Sequence, residues 1–383
     1  FNKVFIDAYR LTDGTSKEAS DRIFSLLDDG VILWSYIGHG SINSLSGDGI
    51  FTTANLNSLY PRQPPFFYAA TCTFAQFDGS ATCGMESLLL TDNGGIIGGL
   101  CAVRPVYIAR NGVLSDNFGK VALTRDSDGR FIPMGEVVRQ AKNMTVDENI
   151  RRYVFFGDPA LRLATPVNTV RLLSVDGTEV SDESRPELKA LGRPVVKGEI
   201  CDPSGKRIDS FNGWLSLTLF DAEHSQTTEG RGDDGESVTF DEKGERLFSG
   251  RTSVTDGLFE ITIPMPSEGA ENYRPATMTL FAAADDGTEA TGVSRNLYVY
   301  GFDYDAETDN VPPVIESLYL DHESFRPSDV VGANPVLIAR VRDDVALNMS
   351  NLGIGHQMSL RIDNDLNLTD ISNGYTPDID GSP

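Results

Sequence analysis

A histidine and a cysteine each follow an apolar run of this sequence, and together they have the chemistry of a nucleophile and its base. The run Val31–Ile37 leads to His39, and the run Phe66–Ala70 leads to Cys72. Short apolar runs bounded by Gly or Pro are typical of buried strands in a parallel sheet, and ligands bind beyond the carboxyl ends of such strands. We therefore predict that the imidazole and the thiol lie on one rim of a sheet, where His39 would act as the base for Cys72.

The glycines on either side of His39 add to this prediction, because they leave the backbone near the imidazole uncovered. We expect the amide N–H groups of Gly40 and Cys72 to point into the space between imidazole and thiol, where they would form an oxyanion hole. Taken alone, a cysteine at a strand end is more often a small buried apolar residue than a nucleophile. The pairing with His39 is what favours catalysis.

The composition bounds the classes of function. The chain has 383 residues, of which 40% are hydrophobic and 9% aromatic, as is usual for globular protein. Its 56 acidic and 32 basic residues give a net charge of −24, which repels polyanions and argues against nucleic-acid binding. No stretch of the sequence approaches the roughly 20 apolar residues that a membrane-spanning helix needs.

Residues 1–165 alternate between helix-like and strand-like segments, which predicts an α/β domain. Helices are predicted over 15–29, 52–59, 84–92, 111–123 and 134–144. Strands are predicted over 31–37, 66–70 and 94–100, with a last strand and turn over 152–159. The chain opens at 3–9 inside a further strand-like segment, so we expect it to be a piece of a longer protein.

The pattern changes near residue 166 to short alternating runs between Gly, Asp and Pro turns. This spacing predicts an all-β, immunoglobulin-like sandwich over 166–302. The acidic segment 303–313, which ends in two prolines, predicts a linker. A further β domain is predicted over 311–383, and we expect it to be incomplete because too few strands follow to close a sandwich.

Several motifs of the first domain together resemble one family, the gingipain-like cysteine peptidases. The motifs are Tyr36-Ile37-Gly38-His39-Gly40, Cys72 after the next strand, Gly84-Met85-Glu86, the glycine-rich run 94–100, Arg104-Pro105-Val106-Tyr107 and Phe156-Gly157-Asp158-Pro159. They extend over most of residues 1–165. The resemblance implies an α/β caspase-like domain, of which this chain holds the C-terminal part, with His39 and Cys72 as its catalytic dyad.

Within that family the sequence is most similar to the surface sortase of the bacterial type IX secretion system, through Thr71–Phe74, Val103–Tyr107 and Val341–Asp344. The resemblance implies an exported protein of the cell surface or outer membrane that removes the C-terminal signal from exported proteins and couples the new end to lipopolysaccharide. Its partners would be those substrates, the lipopolysaccharide acceptor and other outer-membrane secretion components. Two alternatives are a gingipain-like secreted protease without a sorting role and a non-catalytic β-rich surface module with a degenerate peptidase domain.

Four further residues of the first domain have alternatives that the sequence leaves open. Glu86 either orients His39 or a substrate, or is a structural salt-bridge partner. Arg104 follows the third strand and either meets a carboxylate or phosphate of a ligand or forms a structural ion pair. Cys83 and Cys101 either form a disulfide or stay free, and their spacing does not decide between the two.

No cofactor and no catalytic metal are expected. His224, His322 and His356 lack ligand-like partners at metal spacing. The turns at 126–129 and 363–365 offer clustered oxygen ligands for a structural calcium ion. Solvated turns are the preferred interpretation, since neither segment completes an EF-hand loop.

Overall fold

A computed structural model of the chain describes residues 17–47, 49–228, 230, 237–267, 273–306, 311–344, 347–348, 358–363 and 368–381. The strand predicted at 3–9, His356 and residues 364–365 of the second acidic turn lie outside these residues. The chain divides into two compact units, Phe1–Thr165 with Ser225–Phe240, and Pro166–His224 with Asp241–Pro383. Within the described ranges, none of the helices has the length and apolar character needed to cross a membrane.

The first unit has the α/β character that the sequence predicts. Its elements in chain order are α1 (Lys17–Asp29), β1 (Leu33–Ile37), β2 (Ser44–Leu45), β3 (Phe51–Thr52), a 3₁₀ helix (Thr53–Ser58), β4 (Phe66–Ala70), α2 (Gly84–Leu90), β5 (Gly98–Ala102), α3 (Ile108–Val121), α4 (Met134–Asn143), α5 (Glu148–Arg151) and β6 (Tyr153–Gly157). The predicted helices and strands are confirmed apart from their ends and one change of type. The segment predicted as a helix over 52–59 is a 3₁₀ helix.

The strands β1, β4, β5 and β6 form one sheet in that order. β1 pairs with β4 and β4 with β5 in parallel, whereas β6 runs antiparallel to β5. Every residue of β4 and β5 is buried, which explains why these segments are continuously apolar in the sequence. The predicted parallel pairing of the strands before His39 and Cys72 is thus confirmed, within a sheet that is mixed overall.

Side chains of β4 alternate between two cores. On one face Phe67 packs with Phe74 and Met85, and on the other Tyr68 stacks on Phe118 of α3 with ring centroids 4.5 Å apart. Gly99 of β5 allows this close packing, because a Cβ there would meet the Met85 side chain and lie 2.5 Å from the Phe67 carbonyl oxygen. The sheet is therefore covered on both faces, and its carboxyl-end rim is free to carry chemistry.

Beyond residue 165 the chain is rich in strands, as predicted. They are β7 (Asn168–Val175), β8 (Thr178–Glu179), β9 (Glu187–Ala190), β10 (Val195–Cys201), β11 (Gly213–Phe220), β12 (His224–Thr227), β13 (Thr239–Glu242), β14 (Arg246–Val254), β15 (Leu258–Thr262), β16 (Pro275–Ala284), β17 (Glu289–Phe302), β18 (Val314–Leu320), β19 (Leu337–Arg342), β20 (Ser359–Leu360) and β21 (Thr369–Asp370). A short 3₁₀ helix, Ser372–Gly374, follows β21.

Most of the second unit is a single sheet wrapped around one core. Its strand order is β14-β11-β16-β17-β7-β10-β15, with β8 added to β7 and β9 to β17. The two ends of this path, β14 and β15, contact each other, and the Thr252 hydroxyl donates to the Glu260 carbonyl at 2.8 Å. Alternate residues of β11 point into the core, among them Leu215, Leu217 and Leu219. The immunoglobulin-like assignment stays a prediction.

The end of the described chain returns to the outer edge of β14. Ile379 forms a parallel bridge with Arg251, and the Asp380 amide donates to the Arg251 carbonyl at 3.2 Å. The Asp380 carboxylate accepts hydrogen bonds from the Ser253 amide at 2.7 Å and from the Ser253 hydroxyl, and it lies 3.0 Å from the Thr252 hydroxyl oxygen. Because an uncovered edge strand presents unpaired backbone groups, this contact both satisfies and protects the edge of β14.

We expect Asp380→Ala to lower the free energy of unfolding of the second unit by about 1 kcal/mol, since it removes charge-assisted hydrogen bonds at an exposed edge. Asp378→Ala is the matched control, because Asp378 makes a long, exposed ion pair with Arg340 at 3.9 Å. Urea unfolding measures both. An equal loss in the two variants would contradict the edge contact.

The effect of Asp380→Ala should also depend on pH. Hydrogen bonds lower the pKa of Asp380, and the one from the Ser253 side chain has the largest effect. A lowered pKa means that the carboxylate stabilises the folded state above its unfolded pKa of about 4, and that this gain is lost as the pH falls through the folded value. The stability difference between wild type and Asp380→Ala should therefore shrink in acid below about pH 4.

Candidate active site

The register of β1 on β4 brings His39 and Cys72 to the same rim. Ile37 pairs with Ala70 as the last residue of each strand, and the Gly38 amide donates to the Ala70 carbonyl at 3.3 Å, so that the pairing continues past β1. His39 and Cys72 each lie two residues beyond this last pair. The imidazole is exposed and the thiol half-buried, as a substrate-accessible pair requires.

Two hydrogen bonds and one glycine hold the backbone at His39. The Tyr36 hydroxyl donates to the His39 carbonyl at 2.7 Å, and the Ser46 amide donates to the same oxygen at 2.8 Å. The Tyr36 side chain passes over Gly38, where a Cβ would lie 2.6 Å from its hydroxyl oxygen. A side chain at position 38 would therefore displace Tyr36 from the His39 carbonyl.

Gly40 and Thr71 make the closest approach between the two loops. A Cβ at Gly40 would clash with the Thr71 hydroxyl oxygen and lie 3.2 Å from the Thr71 Cγ2. The Thr71 side chain is fully buried, and its hydroxyl has no hydrogen-bond partner in the part of the chain that the structure describes. An unpaired buried hydroxyl costs free energy, so this packing between the loops is maintained at the expense of stability.

The chain turns sharply after Cys72. Thr73 has a φ of +52°, a left-handed conformation that is strained for a β-branched residue. The Gln76 amide closes the turn by donating to the Thr73 carbonyl at 2.9 Å, and the Phe74 ring is buried against Gly84 of α2. Backbone strain of this kind is concentrated at functional sites, and here it places Cys72 at a corner of the chain.

The amides predicted as oxyanion donors are available. Gly40 bridges Leu45, but the bonds of that bridge are made by the Ser41 and Ser46 amides. Over the described ranges neither the Gly40 nor the Cys72 amide donates a hydrogen bond within the protein. Both N–H groups are thus free to receive a developing negative charge, and their catalytic role stays a prediction.

The Cys72 thiol contacts the loop that follows β5. It donates to the Val106 carbonyl at 3.4 Å, and the Val106 amide donates to the sulfur, also at 3.4 Å. No hydrogen bond joins His39 to Cys72 among the described residues. The short approach predicted for the two side chains therefore stays a prediction, and the acceptor that the thiol contacts within these residues is the Val106 carbonyl.

Arg104 forms the ion pair that was one of its two predicted alternatives. Its guanidinium donates to both carboxylate oxygens of Asp78, at 2.6 and 3.0 Å, and also to the Val103 carbonyl at 2.7 Å. Arg104 lowers the pKa of the Asp78 carboxyl by this hydrogen bonding. The pair joins the loop after Cys72 to the loop after β5, and both side chains remain about half exposed, at 46% and 47%.

Glu86 has a structural role, but as a helix cap rather than as the predicted salt-bridge partner. Its carboxylate accepts a hydrogen bond from the Cys83 amide at 2.9 Å, as part of a capping box at the start of α2. This pairs one of the unsatisfied N–H groups of the helix. The contact holds α2, the helix that packs beneath the turn after Cys72.

All four cysteines have free thiols, so the disulfide alternative for Cys83 and Cys101 is not realised. Cys83, Cys101 and Cys201 are buried, whereas Cys72 is half-buried. Burial raises the pKa of all three buried thiols, which keeps them protonated and unreactive. Cys72 is thus the accessible thiol of the chain.

His224, His322 and the acidic turn at 126–129 have partners of their own. His224 lies 3.8 Å from the Glu242 carboxylate, and the His322 ring bonds the Ser324 hydroxyl at 2.9 Å. Asp126 forms an ion pair with Arg162 at 2.8 Å. In the described part of the chain, no group of three or more His, Cys, Asp or Glu side chains could hold a metal ion.

Sequence reasoning missed a buried polar cluster behind the site. Asn111, Asn149 and Tyr153 are buried and hydrogen-bonded to one another. Asn111 begins the helix predicted over 111–123, where asparagine is favourable, and Asn149 lies in no predicted element, so the sequence pattern carried no signal for this cluster.

Comparison with known proteins relates residues 1–164 to a family of peptidases. Residues 1–164 match the family model of peptidase family C25, which confirms the resemblance to the gingipain family, whereas no curated protein matches the chain. Dimeric latent PorU from Porphyromonas gingivalis is 28% identical with a TM-score of 0.38, covering 66% of this chain and 24% of that one. The complex of RgpB pro- and mature domains from the same organism is 18% identical with a TM-score of 0.36, covering 73% of this chain and 57% of that one.

We expect Gly40→Ala to destabilise the first unit by about 1–3 kcal/mol, because its Cβ overpacks against Thr71. Adding Thr71→Ala removes the clashing atoms and should restore most of the loss, which a double-mutant cycle in urea measures. Gly112→Ala is the matched control, since a Cβ at this helical glycine meets open space. Unchanged stability of Gly40→Ala would contradict the close approach of the two loops.

Proposed function

We propose that this chain, whose residues 1–164 match peptidase family C25, is a cysteine peptidase in which Cys72 is the nucleophile and His39 the general base. The observation that carries the proposal is the parallel register of β1 on β4, which ends both strands at one rim with the imidazole and the thiol two residues beyond. Cys72 is also the accessible thiol of the four. The chain spans 24% of PorU, so substrate and partners are likewise proposals.

The proposed reaction begins when the thiol proton passes to the His39 imidazole and the sulfur attacks the scissile carbonyl carbon. The oxygen of the tetrahedral intermediate takes the negative charge and accepts hydrogen bonds from the Gly40 and Cys72 amides. The C–N bond then breaks, and the imidazolium gives its proton to the leaving amine. A thioester on Cys72 remains, which water or an amine acceptor resolves with release of the thiol.

The finer proposal is that the acceptor is an amine and the enzyme a sortase. It would act at the cell surface on exported proteins that carry a C-terminal secretion signal, couple them to lipopolysaccharide and work with other outer-membrane secretion components. The wall formed by residues 103–107 supports this, because it contacts the Cys72 sulfur at Val106 and carries the half-exposed guanidinium of Arg104. Such a wall would hold an anionic acceptor near the thioester.

The two alternatives make different demands on this site. A gingipain-like protease without a sorting role needs the dyad but no acceptor wall. A β-rich surface module with a degenerate peptidase domain needs neither. Reactivity of Cys72 distinguishes the two enzymes from the non-catalytic surface module. The ratio of transfer to hydrolysis distinguishes the sortase from the protease without a sorting role.

We expect Cys72→Ala to abolish both iodoacetamide labelling of the native protein and cleavage of an unfolded protein substrate. Cys201→Ala is the matched control and should leave both unchanged, because Cys201 is buried in β10 with 1% exposure. Mass spectrometry of the labelled cysteines reads the result. Equal labelling of all four cysteines in the folded protein would contradict an activated Cys72.

We expect Arg104→Ala in the full-length enzyme to lower transfer to the glycolipid more than hydrolysis of a short peptide, since Arg104 would bind the anionic part of the acceptor. Asp78→Asn should raise transfer to the glycolipid relative to hydrolysis, because it frees the Arg104 guanidinium from its ion pair. Arg139→Ala is the control, since Arg139 makes a similar exposed pair with Glu136 on α4. A parallel fall in transfer and hydrolysis would assign Arg104 to support of the dyad and refute an acceptor site.

A further inference from the structure

We infer that Asn111 and Asn149 are positioning residues that hold the Val106 carbonyl as a competing acceptor for the Cys72 thiol proton. This buried amide pair keeps the thiol bonded to the loop after β5. The inference rests on the proposed function in taking Cys72 as the nucleophile and His39 as its base.

Asn149 fixes the loop directly. Its side chain is 4% exposed, and its carbonyl oxygen accepts a hydrogen bond from the Tyr107 amide at 2.8 Å. Tyr107 is the residue next to Val106 and the N-cap of α3. The Asn149 side chain therefore sets the position of the peptide that contacts the Cys72 sulfur.

Asn111 ties Asn149 to the strand that carries the cysteine. Its side-chain oxygen accepts hydrogen bonds from the Asn149 amide at 3.1 Å and from the Tyr153 hydroxyl at 2.7 Å. Its own side-chain amide donates to the Ala70 carbonyl at 3.5 Å. Ala70 is the last residue of β4, two positions before Cys72.

These bonds, together with the backbone from Tyr107 to Val106 and from Ala70 to Cys72, form a closed ring from β4 through the two amides to the Cys72 sulfur. Each asparagine acts as donor and acceptor at once, a combination that neither leucine nor aspartate provides. Asn111 is 5% exposed and Tyr153 1%, so the ring lies in a low-dielectric interior where paired polar groups hold one arrangement. Removing a member leaves its partners unpaired and releases the loop.

The consequence for Cys72 follows from the two acceptors available to its proton. A thiol that donates to a backbone carbonyl is held as the neutral thiol, whereas one that meets an imidazole becomes a nucleophilic thiolate. The ring stabilises the first arrangement through the Val106 carbonyl, whose contact with the thiol must outweigh that of the Val106 amide, which donates to the sulfur at 3.4 Å. Loosening it should therefore raise the reactivity of Cys72, and the gain should require His39.

The experiment measures the rate of iodoacetamide labelling of Cys72 in the whole chain. Asn149→Ala and Asn111→Leu should raise this rate about two- to tenfold, the range that one net hydrogen bond covers. Asn117→Ala is the matched control. Asn117 is a buried asparagine of α3, the helix that also carries Asn111. Its side-chain amide donates to the Ala141 carbonyl at 3.3 Å and the Thr145 hydroxyl at 3.1 Å, and its loss should leave the labelling rate unchanged.

Two further measurements separate release of the loop from partial unfolding. Cys83 and Cys101 are buried beside the site, so their labelling should stay at the wild-type level, whereas unfolding would expose them together with Cys72. Adding His39→Ala to Asn149→Ala should remove the gain. An unchanged or lower rate in the asparagine variants, or a gain that survives without His39, would overturn the inference. Failure of the proposed function would show differently, as absence of Cys72-dependent cleavage by the wild-type protein.

Discussion

The parallel pairing of β1 with β4 is the constraint on which the candidate site depends. Hydrogen bonds between the two strands bring together segments that lie about thirty residues apart and end them at one rim. Parallel neighbours require a crossover connection, and residues 38–65 supply it while also forming the loop that carries His39. The register cannot slip by a residue without turning Tyr36 and Phe67 out of their core. Packing of the core thus sets the placement of the imidazole and the thiol.

The loops at this rim are held by contacts of different strength. Near His39, the packing of Gly40 on Thr71 leaves no space for a side chain, and the turn at Thr73 is strained. In the loop after β5, the Asp78–Arg104 pair is exposed to solvent and contributes little to stability. The buried amides of Asn111 and Asn149 hold the same loop from the inside. A site built in this way combines a rigid cysteine corner with a wall that ligands or solvent can reach.

The second unit has a different architecture. Its strands are mostly antiparallel and wrap around one apolar core, with β14 and β15 meeting at the ends of the path. The segment at 379–380 adds to β14 as a short parallel extension and pairs backbone groups that an edge strand leaves open. The match to peptidase family C25 ends at residue 164, so the proposed chemistry belongs to the first unit.

The sequence by itself determined the four strands of the main sheet of the first unit, most of its helices, the β-rich character of the rest and the two strand ends that carry His39 and Cys72. These follow from local hydrophobic period and from glycine and proline, which neighbouring residues specify. Only the tertiary structure decided that Arg104 pairs with Asp78, that Glu86 caps a helix and that Cys83 and Cys101 remain free thiols. It also decided that Asn111 and Asn149 connect β4 to the loop that contacts Cys72. Each of these depends on which distant side chains the folded sheet brings within hydrogen-bond reach, and hydrophobic pattern carries no record of such partners.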